Sequence, residues 1–224
     1  MLLYYITDRT QFAGSESERR GKLLRTIRSA AAAGVDYIQL REKDLSFREF
    51  ELLAREVMHL IRAEGSSRLL INHRTDIALA VGADGVHLTG SDIAASDARA
   101  LAAKSRPDAR FLIVASCRSA QQVRLAEAHG ADFAVLAPIF EKANVIRNGI
   151  GLEELRLATR KGQSPDLRLE AGDNRRTFPI FALGGVDTER AALCADAGAA
   201  GIAGIRLFQQ SLDLQALIRL LRPL

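Results

Sequence analysis

The chain has 224 residues and a mass of 24.4 kDa, enough for one α/β domain with a full core. Its 31 basic and 27 acidic residues leave a net charge of +4 with no clustered stripe, aromatics are only 5% and tryptophan is absent, which argues against nucleic-acid binding. No apolar run approaches a membrane span, and Cys117 and Cys194 are too few for a disulfide framework, so a reducing cytoplasm is expected.

Short aliphatic or β-branched runs alternate with segments of helical period, the signature of β/α units around parallel strands. The opening Met1-Leu-Leu-Tyr-Tyr-Ile-Thr7 has no basic n-region and no cleavage site, and reads as a first strand over 2–6. A helix over 19–33 leads to a strand over 37–40, and a helix over 47–63 to a strand over 68–71. The alternation continues with a helix at 76–81, strand 85–88, helix 94–103, strand 111–115, helix 120–129 and strand 133–136. A helix at 152–159, strand 180–183, helix 188–197, strand 201–203 and helix 212–221 complete it. Eight strands and eight helices predict a single (β/α)8 TIM barrel over 1–224. Gly34, Gly82, Gly130 and Gly198 each fall just before a strand, where a helix C-cap is expected. Two segments break the rhythm. The polar loop 141–150 reads as a lid over the barrel mouth, and the charged stretch 161–177 as a solvated excursion on the opposite face, without catalytic duty.

Chemistry in such a barrel sits at the C-terminal ends of the strands. After the second strand comes Gln39-Leu-Arg41-Glu-Lys43, where alternation puts Gln39, Arg41 and Lys43 on one side. An amide followed by two cations suits a pyrophosphate; a salt-bridging turn with Glu42 is the plainer alternative. After the third strand, Asn72 either bonds a ligand or ties its own loop. His73 reads as a solvated or locally bonded ring, Arg74 as a surface charge, and Asp76 as the cap of the next helix. After the fourth, His87 reads as packed inside the barrel. Asp92 is open between a Mg²⁺ ligand, through its hard carboxylate oxygens, and the N-cap of the helix near residue 94. After the fifth, Ser119 reads as the helix cap, which leaves Ser116 to face the mouth, and Cys117 reads as an inert thiol without a base.

The most informative stretches lie late in the chain. Phe181-Ala-Leu-Gly-Gly185 and Ile202-Ala-Gly204-Ile-Arg206 put glycine where a strand hands over to a helix. Bare backbone N–H groups there can close around an anion, and the loops after strands seven and eight are the usual phosphate site of this barrel.

Taken jointly, Tyr37-Ile-Gln-Leu-Arg-Glu-Lys43, Leu70-Ile-Asn72 with Asp76-Ile-Ala-Leu79, Gly82-Ala-Asp-Gly-Val-His87, Pro138-Ile-Phe140 and Leu183-Gly-Gly185 resemble the thiamine-phosphate synthase superfamily, which includes the thiazole tautomerases. The likeness runs from the first strand to the last helix. It implies an enzyme of thiamine biosynthesis that joins hydroxymethylpyrimidine pyrophosphate to thiazole phosphate, releases pyrophosphate and uses Mg²⁺. By the same resemblance Gln39, Arg41, Lys43 and Asn72 would hold the pyrimidine pyrophosphate, Asp92 the magnesium, and Ser116 the pyrimidine side. Gly185 with the backbone of Gly204 and Ile205 would hold the thiazole phosphate, and Arg41, Lys43 and Ser116 would form the catalytic set.

Four departures from the family pattern stand out. His73 occupies the place of a magnesium-binding Asp. The loop after the sixth strand lacks the Thr-x-Thr-Lys pattern, with Lys142 nearby. Arg206 replaces a Ser of the last phosphate loop and can pair with phosphate, and Arg118 replaces the histidine of tautomerases. A Mg²⁺-dependent synthase is therefore the first reading, a tautomerase-like isomerase the second, and a non-catalytic binder of a thiamine-pathway phosphate the third. Phosphorylated small molecules are the implied partners, with neither nucleic acid nor membrane. A homo-oligomer is left open, because an interface patch and helix packing look alike on a barrel exterior.

Overall fold

The computed structural model describes residues 1–140, 149–160 and 178–224. The expected lid at 141–150, with Lys142, lies outside the described residues apart from Gly149 and Ile150, and the expected excursion at 161–177 lies wholly outside them.

Eight parallel strands pair in chain order and the last closes on the first, which makes the barrel that the alternation predicts. They are β1 (Leu2–Ile6), β2 (Tyr37–Leu40), β3 (Arg68–Asn72), β4 (Gly85–Leu88), β5 (Leu112–Cys117), β6 (Phe133–Leu136), β7 (Ile180–Leu183) and β8 (Gly201–Gly204). Around them lie α1 (Glu16–Ala32), α2 (Phe47–Glu64), α3 (Thr75–Ala80), α4 (Ala95–Ser105), α5 (Ala120–Ala128), α6 (Gly151–Thr159), α7 (Thr188–Asp196), α8 (Arg206–Gln209) and α9 (Leu214–Leu221). Pairing of Ile6 with Gln39, Asn72 with His87, Ser116 with Val135 and Leu183 with Ala203 brings the polar strand ends to one rim.

Helix starts follow local capping chemistry. Ser15 with Glu18 and Ser46 with Glu49 form reciprocal capping boxes. The first box explains why α1 begins three residues before the expected 19. Ser119 caps α5 as expected, through a bond from the Gln122 N–H. Asp76 does not cap α3: Arg74 holds the cap position, and Asp76 sits in the first turn, paired with the Arg74 guanidinium. That guanidinium also lies 4.0 Å from the centre of the Phe47 ring, so Arg74 is more than a loose surface charge.

The recurring glycines Gly34, Gly82, Gly130 and Gly198 are all left-handed, with φ between 71° and 91°, as a helix terminator requires. Two residues after three of them, Asp36, Asp84 and Asp132 accept the backbone N–H of Leu3, Leu69 and Ile113 at 2.7–2.8 Å. Arg222, Arg62 and Arg99 pair with those same carboxylates. The repeat therefore staples neighbouring strands at the end of the barrel opposite the mouth.

Packing forms two shells. The strand faces turned outward join the helices in one large core. Inside the barrel, Tyr4, Leu70, Val114, Phe133, Val135 and Phe181 fill the lumen. The rings of Tyr4, Tyr37, Phe133 and Phe181 sit with centroids 4.9–6.1 Å apart, a plug beneath the mouth on which the polar rim rests.

Candidate active site

Thr7 directly follows β1 and joins a network around Glu42 that strand-end logic does not single out. Glu42 is buried. It accepts the Thr7 hydroxyl at 2.6 Å, the Arg9 backbone N–H at 2.9 Å and Arg9 Nη1 at 3.1 Å. Arg9 also binds Asp44 through both terminal nitrogens and Glu16 through Nε. Thr7 Oγ1 in turn accepts the backbone N–H of Arg41 at 2.9 Å. Burial pushes the Glu42 carboxyl above its usual range, although the bonds from Thr7 and Arg9 pull the other way. Glu42 thus turns inward to Arg9, and the salt-bridging turn considered from sequence does not form. The run Thr7-Asp-Arg9 follows a strand as Gln39–Lys43 does, which places it at the mouth without revealing that it holds Glu42 and the Arg41 backbone.

Gln39 is buried and donates from Nε2 to Asn72 Oδ1 at 2.9 Å, while its own Oε1 is buried with no partner among the described residues. A native protein seldom leaves such an acceptor unpaired. Asn72 is therefore tied to its neighbouring strand end, and the pair offers one free amide oxygen.

His73 follows in a left-handed backbone with φ 64°, an uncommon state for a residue with a side chain. Its Nδ1 lies 2.7 Å from Asp92 Oδ1. Asp92 Oδ2 accepts the Thr89 N–H at 2.6 Å and the Thr89 hydroxyl at 3.1 Å. The N-cap of α4 is Ala94, without a side-chain bond, so Asp92 is not that helix's cap. Among the described residues no three His, Cys, Asp or Glu side chains gather as a metal cluster.

His87 packs inside the barrel as expected, with both ring nitrogens bonded: Nδ1 to the Tyr4 hydroxyl and Nε2 to Ser116 Oγ, each at 2.8 Å. Burial, followed by the nearby His73 and Arg41 charges, lowers its pKa to about 3. Ser116 is exposed at the mouth but its hydroxyl is partnered, not free. The Cys117 thiol is buried and pushed up to about 11, as an inert thiol should be.

A cavity of about 1200 Å³ opens at this end of the barrel, and Arg41, Asp92, Ser116 and Gly184 all line it, with Pro138 beside them. Lys43 is exposed on the same rim but outside the lining. Gly184 approaches Pro138 so closely that an added Cβ would lie 2.7 Å from its Cα. Gly185 follows with φ 63°, and Arg190 donates to its carbonyl. Gly204 ends β8, next to β7. Ile205 caps α8 and Arg206, exposed, is its first residue. The first N–H groups of that turn have no intrahelical acceptor. The described residues expected to meet the two substrates thus occupy one rim, with Arg41, Asp92 and Ser116 in one cavity and the glycine turns at its edge.

Residues 3–208 match a family described as thiamine monophosphate synthase. The chain is 34% identical over 225 residues to the thiamine-phosphate synthase of Syntrophomonas wolfei, covering 99% of this chain and 95% of that one. It is 35% identical over 201 residues to that of Moorella thermoacetica, covering 89% and 86%. Among solved structures, thiamine phosphate pyrophosphorylase from Pyrococcus furiosus superimposes with a TM-score of 0.75 at 27% identity, covering 99% of this chain and 94% of that one.

Proposed function

This chain belongs to the thiamine monophosphate synthase family, and we propose that it joins a pyrimidinylmethyl pyrophosphate to a thiazole phosphate, yielding thiamine phosphate and pyrophosphate. The observation that carries this reading is the shared cavity of Arg41, Asp92 and Ser116 at the edge of the Gly184–Gly185 turn. The C–O bond to pyrophosphate breaks with its electron pair on the leaving oxygen, and the thiazole nitrogen supplies the pair for the new C–N bond. Such a step needs charge stabilisation and alignment, without a covalent nucleophile. Arg41, with Lys43 two residues on, meets the departing pyrophosphate. The free Gln39 oxygen accepts from the pyrimidine, and Ser116 bonds the same substrate. The glycine turns at Gly185 and Gly204–Ile205, with Arg206, hold the thiazole phosphate.

The family resemblance also carries Mg²⁺. That ion wants hard oxygens in near-octahedral array. The carboxylate on offer, Asp92, already receives His73 on one oxygen and two Thr89 donors on the other, and the neighbouring group is an imidazole. Among the described residues this donor set does not fit a resident magnesium ion, and Arg41 and Lys43 supply positive charge to the departing pyrophosphate. No helix among the described residues is long and apolar enough to cross a membrane, and both cysteines are free and buried; we assign the chain to a reducing cytoplasm.

A second reading rests on the His73–Asp92 pair, since an imidazole oriented by a carboxylate is the arrangement of a general base and isomerisation of a thiazole phosphate requires one. Incubating the purified protein with both substrates tests the first reading: equimolar thiamine phosphate and pyrophosphate are expected. Thiazole isomerisation without synthesis would overturn it in favour of the second.

A further inference from the structure

Three residues from three strands form a continuous hydrogen-bonded line from the barrel floor to its mouth: Tyr4 on β1, His87 on β4 and Ser116 on β5. Tyr4 is fully buried and His87 is 3% exposed, whereas Ser116 lines the cavity. The proton inventory of this line has one satisfactory solution.

The Tyr4 ring packs among the rings of Tyr37, Phe133 and Phe181, its hydroxyl is buried with it, and the single hydrogen-bond partner of that hydroxyl among the described residues is His87 Nδ1. A phenol carries one proton, and a buried O–H must find an acceptor. Burial also holds the phenol protonated well above its ordinary range. Tyr4 therefore donates, and Nδ1 accepts. A neutral imidazole has one donor and one acceptor nitrogen, so the remaining proton is on Nε2 and is donated to Ser116 Oγ. The serine proton then has nowhere to go along the line. The opposite tautomer would leave the Tyr4 O–H without an acceptor inside an aromatic plug.

We propose that Tyr4 and His87 are positioning residues that lock the Ser116 hydroxyl as a hydrogen-bond donor into the cavity, so that Ser116 meets an acceptor atom of the substrate and cannot serve as a nucleophile. His87 already carries its proton on the nitrogen that would have to take the serine's. The substrate in question is that of the proposed synthase reaction, and the consequence for turnover rests on that reading. The proton arrangement does not.

The two halves are separable by experiment. In unliganded protein labelled with ¹⁵N-histidine, long-range ¹H–¹⁵N correlation is expected to show His87 as the Nε2–H tautomer from pH 8 to pH 5. Tyr4→Phe, which removes only the hydroxyl, should abolish that single-tautomer signature. An Nδ1–H tautomer in the wild type, or an unchanged spectrum in Tyr4→Phe, would overturn the proposal whatever the enzyme does. In turnover, Tyr4→Phe and Ser116→Ala should each lower kcat/KM at least tenfold, and the double variant should be no worse than Ser116→Ala. Fully multiplicative losses would show that Tyr4 acts independently of Ser116 and would refute the positioning role. Absence of synthase turnover with the expected tautomer would leave the proton arrangement supported and remove the synthase reading instead.

Discussion

His87 should make the fold sensitive to acid in a way that one substitution removes. Its pKa is about 3 in the folded barrel, against about 6.5 in an unfolded chain. The depressed folded value means that only the unfolded chain gains a proton between those limits, so stability falls as pH falls below about 6.5. At pH 5 the unfolded state gains about 1.5 pK units of protonation free energy, or about 2 kcal/mol relative to pH 8. Any folded value below about 4 gives the same loss at pH 5, because the folded imidazole then stays neutral there. For a chain of this size that loss corresponds to roughly 4–8 °C in Tm. His87→Gln keeps one donor and one acceptor in the lumen but cannot titrate. Urea unfolding at pH 8 and pH 5 should show a pH penalty about 2 kcal/mol larger in the wild type than in His87→Gln. Equal penalties would mean that His87 is already charged or solvated in the barrel, and the proton inventory of the Tyr4–His87–Ser116 line would fail with it.

Three further expectations concern the rim. Arg41→Ala should lower kcat/KM for the pyrophosphate substrate by roughly 10²-fold or more with an unchanged Tm; an unchanged kcat/KM would remove Arg41 from the site. Glu42→Ala strands the Thr7 hydroxyl and part of Arg9, which keeps Asp44 and Glu16. The cost should lie near the low end of the range for a broken buried pair, about 3 kcal/mol, read as a Tm drop of roughly 6–12 °C by calorimetry, with a loss of activity through the Arg41 backbone. His73→Asp puts a second hard oxygen beside Asp92 and should raise the stimulation of synthesis by added Mg²⁺. Equal stimulation in both proteins would show that one carboxylate is not what the metal site lacks.

Strands and long helices were legible because their apolar periods persist over four or more residues: β1, β2, β4, β6 and β7 begin and end where the sequence puts them. The three-residue 3₁₀ turn Arg9–Gln11 and the four-residue α8 are too short to carry a period, and they went unseen. Strand β5 runs on to Cys117 because Ser116 and Cys117 pair with Val135 and Leu136, a fact of the neighbouring strand and not of local propensity. Positional logic puts Arg41, Asp92 and Ser116 at one mouth, and they line one cavity, since strand ends converge in any such barrel. It could not find who holds them. Tyr4 is 83 residues from His87, and Thr7 is 35 from Glu42, so only the closed barrel reveals that Ser116 and Arg41 each rest on buried partners. The same limit left Asp92 open between two roles, neither of which was to bind His73 and Thr89.

The central claim is that one rim holds both phosphorylated groups, and a crystal structure of the protein with thiamine phosphate and pyrophosphate tests it most directly. The product's phosphate is expected on the backbone N–H groups of Gly185 and Gly204–Ile205, with pyrophosphate at Arg41 and the pyrimidine against Gln39 and Ser116. Phosphoryl groups bound elsewhere, with that rim empty, would contradict the account.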